Sequence, residues 1–180
     1  MALKPTIYRV GLQLADSDNN NYEQLTLTLA RHPSETSQRL LARLLTYALR
    51  YAPELQFTRG LSTTDEPDLW LLSADGQVLH WIELGQPDDS RLRKALSRSE
   101  RVSVYAYGSG TNRWWEKSAE AISALPRVEV WQLPAAEVEA LGTSLVRNSQ
   151  VSIAISGGVL YVDVDGNTAD FAPQRLAPTR

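Results

Sequence analysis

Asp68 and Glu83 are the residues of this chain whose setting most calls for a chemical explanation. Asp68 stands beside Leu69 and Trp70, and Glu83 sits between Ile82 and Leu84, so each carboxylate has apolar neighbours along the chain. Burying a carboxylate without a partner is costly, and such a placement points to a metal, a cation or a partly wet cleft. Between the two acids lies Ala74-Asp75-Gly76. Asp-Gly pairs tolerate the positive φ of a tight turn, so residues 67–84 read as a β-hairpin. That hairpin brings both acids to one end of adjacent strands. Two oxygen ligands on rigid strands, completed by water and a substrate phosphate, suit magnesium or manganese. Such an ion would activate a water and stabilise the charge that develops on a phosphodiester. The plainer alternative is that Asp68 caps a turn and Glu83 ends a strand, both merely solvated.

The elements that must hold this hairpin follow from the pattern of the chain. Residues 6–14 and 22–30 alternate apolar and polar around the loop 15–21, and read as an N-terminal hairpin. His32-Pro33-Ser34-Glu35 signals a helix start, with Ser34 available as cap and Glu35 in the first turn. The helix runs to about residue 52, with Leu40, Leu41, Leu44, Leu45 and Ala48 as its apolar face, and Pro53 ends it. A short strand over 55–59 and a polar loop over 60–66 lead into the hairpin. Pro87-Asp88-Asp89 then opens a second helix, its acids suited to the positive end of the dipole. Downstream come a strand over 102–107, a helix over 111–124, a strand over 128–133 and a short helix over 134–141 that ends near Gly142. Strands over 150–155 and 159–164 flank Ser156-Gly157-Gly158 as a C-terminal hairpin. The tail from 172 has two prolines and little periodicity, and is expected to be loose.

Composition narrows the classes of function. A chain of 180 residues, 43% hydrophobic and 22% charged, suits one well-packed soluble domain spanning 1–180. The formal charge of −3 argues against a surface wrapped broadly by nucleic acid and leaves room for a few phosphate contacts. The absence of cysteine excludes disulfides, thiolate metal sites and a cysteine nucleophile. No apolar run is long enough to cross a membrane and no apolar leader opens the chain, so no membrane partner and a cytoplasmic location are expected. His32 and His80 lack the spacing of zinc ligands. Trp114 and Trp115, beside Arg113 and Lys117, could stack on bases, but a packed amphipathic helix accounts for at least one of them.

Pro67-Asp68 on one strand and Glu83-Leu84-Gly85 on its partner are similar to the signature of the PD-(D/E)XK nuclease fold, with glycine where that pattern has lysine. More of the chain points further. MALKPTIYRV, LARHPSET, LQFTRG, DEPDLWL and WIELGQPD, in that order, resemble the YaeQ family of small bacterial proteins over essentially the whole length. The resemblance implies an α+β fold: a mixed β-sheet with a PD-(D/E)XK nuclease-like αβββαβ core, flanking helices, and added N- and C-terminal β-hairpins. The order helix, three strands, helix, strand from 34 to 107 agrees with it. Periodicity alone gives only a mixed α+β fold.

The resemblance also assigns roles. Asp68 and Glu83 become metal ligands for magnesium or manganese, and Glu35, as the acid of the first helix, completes the site. The lysine that would orient the attacking water is absent at Gly85. Gln86 could hold a water but brings no charge. Lys94 or Arg91 on the following helix could neutralise phosphate, Arg91 as a clamp rather than a proton carrier. Lys94 falls nearly opposite the inner face set by Leu92, Ala95, Leu96 and Ser99, while Arg91 lies on the flank nearer the hairpin end. Two functions stand side by side. One is a metal-dependent nuclease cutting phosphodiesters. The other is a catalytically lapsed nuclease-fold module that binds nucleic acid or a protein partner.

Overall fold

Alternation and helical period translate into fifteen regular elements in the computed structural model, which describes residues 3–59 and 65–179. In chain order these are β1 (Thr6–Asp16), β2 (Asn21–Arg31), α1 (Ser37–Leu49), β3 (Leu55–Phe57), β4 (Leu69–Leu72), β5 (Val78–Leu84), α2 (Asp89–Leu96), β6 (Ser99–Ala106), α3 (Thr111–Ser123), β7 (Val128–Gln132), α4 (Ala135–Ser144), β8 (Asn148–Ser156), β9 (Val159–Val164), β10 (Asn167–Phe171) and β11 (Gln174–Ala177). The fold is α+β with two mixed sheets, and the chain divides into two compact units. Residues 60–64 of the expected polar loop lie outside the described residues.

The first unit comprises residues 1–51 and 136–173. Its five-stranded sheet runs β10-β9-β8-β1-β2, with β1 and β8 parallel. The two terminal hairpins, additions to the expected core, join into one sheet of their own. Along β1 the side chains of Tyr8, Val10, Leu12 and Leu14 are buried while Arg9 and Gln13 are exposed, as a sheet with one wet face requires. Helix α1 starts later than its sequence suggests. Ser34 Oγ is taken up by His32 Nδ1 at 2.7 Å, so Thr36 becomes the cap and accepts from Arg39 N at 3.2 Å. Glu35 thus precedes the helix. The helix closes at Leu49, ahead of the Ala52-Pro53 step that disfavours helical geometry. Helix α4 runs through Gly142, because that glycine serves packing: a Cβ there would meet Ser37 O of α1 at 3.0 Å.

The second unit comprises residues 52–135 and 174–180. Its six-stranded sheet runs β11-β7-β6-β5-β4-β3. Strands β5, β6 and β7 are parallel, connected by α2 and α3, and β3, β4 and β11 run antiparallel to their neighbours. Trp81, Leu92, Val104, Ile122 and Val130 form the centre of the core between sheet and helices. The run α1, β3, β4, β5, α2, β6 keeps the expected order. The tail departs from expectation: Gln174–Ala177 pairs with β7 as β11, and Ala177 is buried.

Candidate functional site at the end of a hairpin

The hairpin forms as its turn residues dictate. Gly76 takes φ 86°, Ser73 N donates to Gln77 O at 2.8 Å, and β4 pairs antiparallel with β5. The register sets Leu69 opposite Ile82, so one step further along Asp68 faces Glu83. Both acids are buried, Asp68 at 6% and Glu83 at 4% exposure.

Their partners define the chemistry. Asp68 Oδ2 accepts the backbone N–H of Leu84 at 2.7 Å. Glu83 Oε1 accepts Trp81 Nε1 at 2.8 Å and Arg91 Nε at 2.9 Å, with Arg91 Nη2 2.8 Å away. Arg91 Nη2 also donates to the carbonyl of Glu66 at 3.1 Å, which spans the guanidinium across the mouth of the hairpin. Arg91 reaches this position because Asp88 caps α2 and accepts its N–H at 2.8 Å, fixing the first turn over the strand ends. Burial pushes the Glu83 carboxyl up from its ordinary value, and the negative charge of Asp68 adds to the rise. The hydrogen bonds from Arg91 and Trp81 pull the other way without cancelling it.

A sign follows for stability. A carboxyl raised in the folded state stabilises below the ordinary carboxylate range and loses that contribution as pH rises through its folded value. Relative to wild type, Glu83→Gln should therefore gain stability as pH climbs from about 4 to 7. At pH 7 it should be equal to wild type or ahead by about 0.5–1 kcal/mol. Thermal melts of the two proteins across that range check it; a wild type that gains on the variant would mean the ion pair with Arg91 outweighs desolvation.

The remaining residues read from the sequence have partners of their own. Lys94 Nζ pairs with Asp65 Oδ1 at 3.2 Å, both groups exposed. Gln86 is exposed and its Nε2 donates to Tyr107 O at 3.1 Å, tying the loop to the end of β6. Gly85, at the motif's lysine position, takes φ 95°, a backbone that any L side chain would strain. Glu35 belongs to the first unit, where its Oε1 accepts Arg39 Nη1 and Arg43 Nη1, each at 3.1 Å. Trp114 and Trp115 are both half-buried against the core, and Trp114 Nε1 donates to Pro87 O at 3.0 Å. Within the second unit, Asp68, Glu83 and Arg91 meet at the hairpin end.

Two features escaped the sequence. One is Trp81 as a donor to Glu83, which its i, i+2 spacing on one strand face could have suggested. The other is a buried line in which His80 Nε2 lies 2.7 Å from Ser103 Oγ, and Ser103 Oγ donates to Glu129 Oε1 at 2.6 Å. No local signal announces it, because β6 and β7 bring in its members from distant sequence.

A divalent ion would need more than this arrangement offers. Among the described residues no three His, Cys, Asp or Glu side chains converge as a ligand set. Both hairpin carboxylates already accept N–H groups, and a guanidinium lies on Glu83 where the charge of the ion would sit. As built, the donors do not fit magnesium or manganese.

A sequence model of the family described as "YaeQ protein" matches residues 1–173. The chain belongs to the YaeQ family. Its relatives include the YaeQ proteins of Escherichia coli K12, 38% identical over 94% of both chains, and of Salmonella typhi, 39% identical over 95% of both. Crystal structures of the family superpose closely. The YaeQ protein of Pseudomonas syringae gives a TM-score of 0.92 at 42% identity over 97% of each chain. That of Xanthomonas axonopodis pv. citri gives 0.90 at 41% identity, over 95% of this chain and 97% of its own. The two-sheet α+β architecture is therefore the family fold. No helix among the described residues is long and apolar enough to cross a membrane.

Proposed function

We propose that the protein is a catalytically lapsed member of the PD-(D/E)XK fold that binds nucleic acid through a few phosphates without a resident metal. One observation carries this reading: the guanidinium of Arg91 lies within 2.9 Å of Glu83 and supplies the positive charge that a metal ion brings to a working nuclease centre. Gly85 supports it, since its left-handed backbone favours glycine where the nuclease pattern has lysine. Helix α2 supplies the surface. Arg91 and Lys94 stand one turn apart on it, and Arg98 follows in the turn after its end. Asp65 offsets Lys94 and Arg98 and keeps the patch modest. The metal-dependent nuclease reading keeps one point in its favour: the opposed, mutually repelling acids are an arrangement that an added cation would relieve.

Fluorescence anisotropy of a labelled single-stranded DNA, with EDTA or manganese, separates the two. Binding is expected in EDTA, unchanged by manganese and without cleavage. The slope of log affinity against log salt should report only about two to four neutralised phosphates. Lys94→Ala and Arg98→Ala should each make it shallower. Cleavage that needs manganese and disappears in Asp68→Asn would establish the nuclease instead. An absence of binding at low salt would remove nucleic acid as the partner.

A further inference from the structure

We infer that the wet face of the five-stranded sheet is a binding surface for a neutral, polyhydroxylated ligand such as a short oligosaccharide. The register builds it. Tyr22 pairs with Ala15, Ala15 with Ala154, and Ala154 with Tyr161. Residues directly opposite one another point to the same face, so two tyrosines flank two alanines in a row that Asp170 of β10 extends beyond Tyr161. Three strand spacings of about 4.8 Å put their backbones about 14 Å apart. Tyr22 is 60% exposed and Tyr161 51%, in a fold that buries most of its large apolar side chains.

The adjacent rows are polar and small. Gln24, Gln13, Ser152 and Asp163 form the next, followed by Thr26, Gly11 and Gln150. Gly11 lets the Gln150 amide lie flat across the floor: a Cβ on residue 11 would come within 2.4 Å of its Oε1. Two hollows open on this face, of about 280 and 420 Å³, and they adjoin at Ser152 and Asp163, which line both.

The chemistry of these rows selects the occupant. Side-chain amides and hydroxyls both donate and accept, as sugar hydroxyls do, and Asp163 can accept from a diol. An exposed tyrosine offers an apolar ring for the C–H face of a pyranose and a polar tip at its rim. The three rows contain no lysine or arginine, and Asp163 and Asp170 line the hollows, which disfavours a phosphodiester strand. Three amides in the two rows beside the tyrosine row make the face rich in groups that both donate and accept, and none of it depends on Arg91 or the hairpin acids.

The test is an amide NMR titration of the full chain with cellotetraose and maltotetraose. Saturable shifts are expected with at least one sugar, centred on Gln13, Ala15, Ser152 and Ala154. Tyr161→Ala and Tyr22→Ala should each weaken binding about tenfold while leaving the melting curve in place, because both rings are exposed. Ala154→Gln, which fills the floor, should abolish it. Three results would overturn the proposal. They are no shift with either sugar, shifts with oligothymidylate alone, and line broadening without ligand that rises with protein concentration and vanishes in Tyr161→Ala. The last would identify the face as a contact between copies of the chain.

Discussion

Replacing Glu35 with alanine is expected to destabilise the protein by about 3–4 kcal/mol, the range found when a buried ion pair loses one member. Both the Glu35 and Arg43 side chains are 2% exposed, and the Arg39 side chain 11%. The single carboxylate accepts Arg39 Nη1 and Arg43 Nη1 at 3.1 Å on Oε1, and Arg43 again at 3.2 Å on Oε2. It also accepts the backbone N–H of His32 at 3.3 Å, closing the turn that leads into α1. Alanine removes a buried negative charge that these two guanidinia share. Glu35→Gln keeps acceptors in place and should lose roughly half as much. Urea denaturation of the three proteins measures this directly, with an unchanged m-value as the sign that the folded state itself is compared. A loss under about 0.5 kcal/mol for the alanine variant would mean the cluster is incidental to the fold. A protein that instead loses a manganese-induced rise in melting temperature would return Glu35 to the role of metal ligand.

The position of Glu35 shows how much a sequence can say about such a residue. Its proximity to α1 was legible from the proline and the serine, yet the cap fell two residues later because His32 captures the Ser34 hydroxyl. The leucine stripe of α1 was also legible. What the stripe concealed is that residues 39–48 are buried on every side, arginines included, which a helical wheel assigns to solvent. The pairing that gathers β1 with β8 is parallel and links residues about 140 positions apart, so no local pattern carries it. Strand β10 was missed although Asp165-Gly166, with φ of 49° and 91°, is a turn signal of the kind that identified the central hairpin. Its polar residues Asn167, Thr168 and Asp170 hid the alternation.

At the site, the hairpin and the convergence of its acids were readable because turn chemistry and strand period fix them within a few residues. Arg91 was readable only in part. Its helical phase put it on the flank facing the hairpin end, but periodicity cannot state that a side chain closes an ion pair. Gly85 illustrates a different limit. In the sequence it stands where the resembling motif has lysine; in the structure it is a backbone requirement, which makes a lysine there costly.

Arg91→Ala supplies the sharpest test of that ion pair, with an expected loss of about 2–3 kcal/mol at pH 7. The figure is set below the range for fully buried pairs because the Arg91 side chain is 32% exposed. Without the guanidinium, Glu83 keeps Trp81 Nε1 as a side-chain donor among the described residues and still faces Asp68. Its carboxyl, already raised by burial, must rise further, because a lowering influence has gone. The cost should therefore shrink on acidification, where protonated Glu83 has no charge to balance, and grow toward neutral pH. Combining Arg91→Ala with Glu83→Gln should recover most of the loss at pH 7, giving a coupling of about 1–2 kcal/mol in the double-mutant cycle. A purely structural role for Arg91, through the Glu66 carbonyl and the packing of its stem, predicts instead a loss independent of pH and no recovery in the double variant. Denaturation curves for the four proteins at pH 5 and pH 7 distinguish these outcomes. If manganese restored Arg91→Ala to wild-type stability and left Arg91→Ala/Glu83→Gln unchanged, the guanidinium would be standing in the place of a cation that the carboxylate pair can still hold.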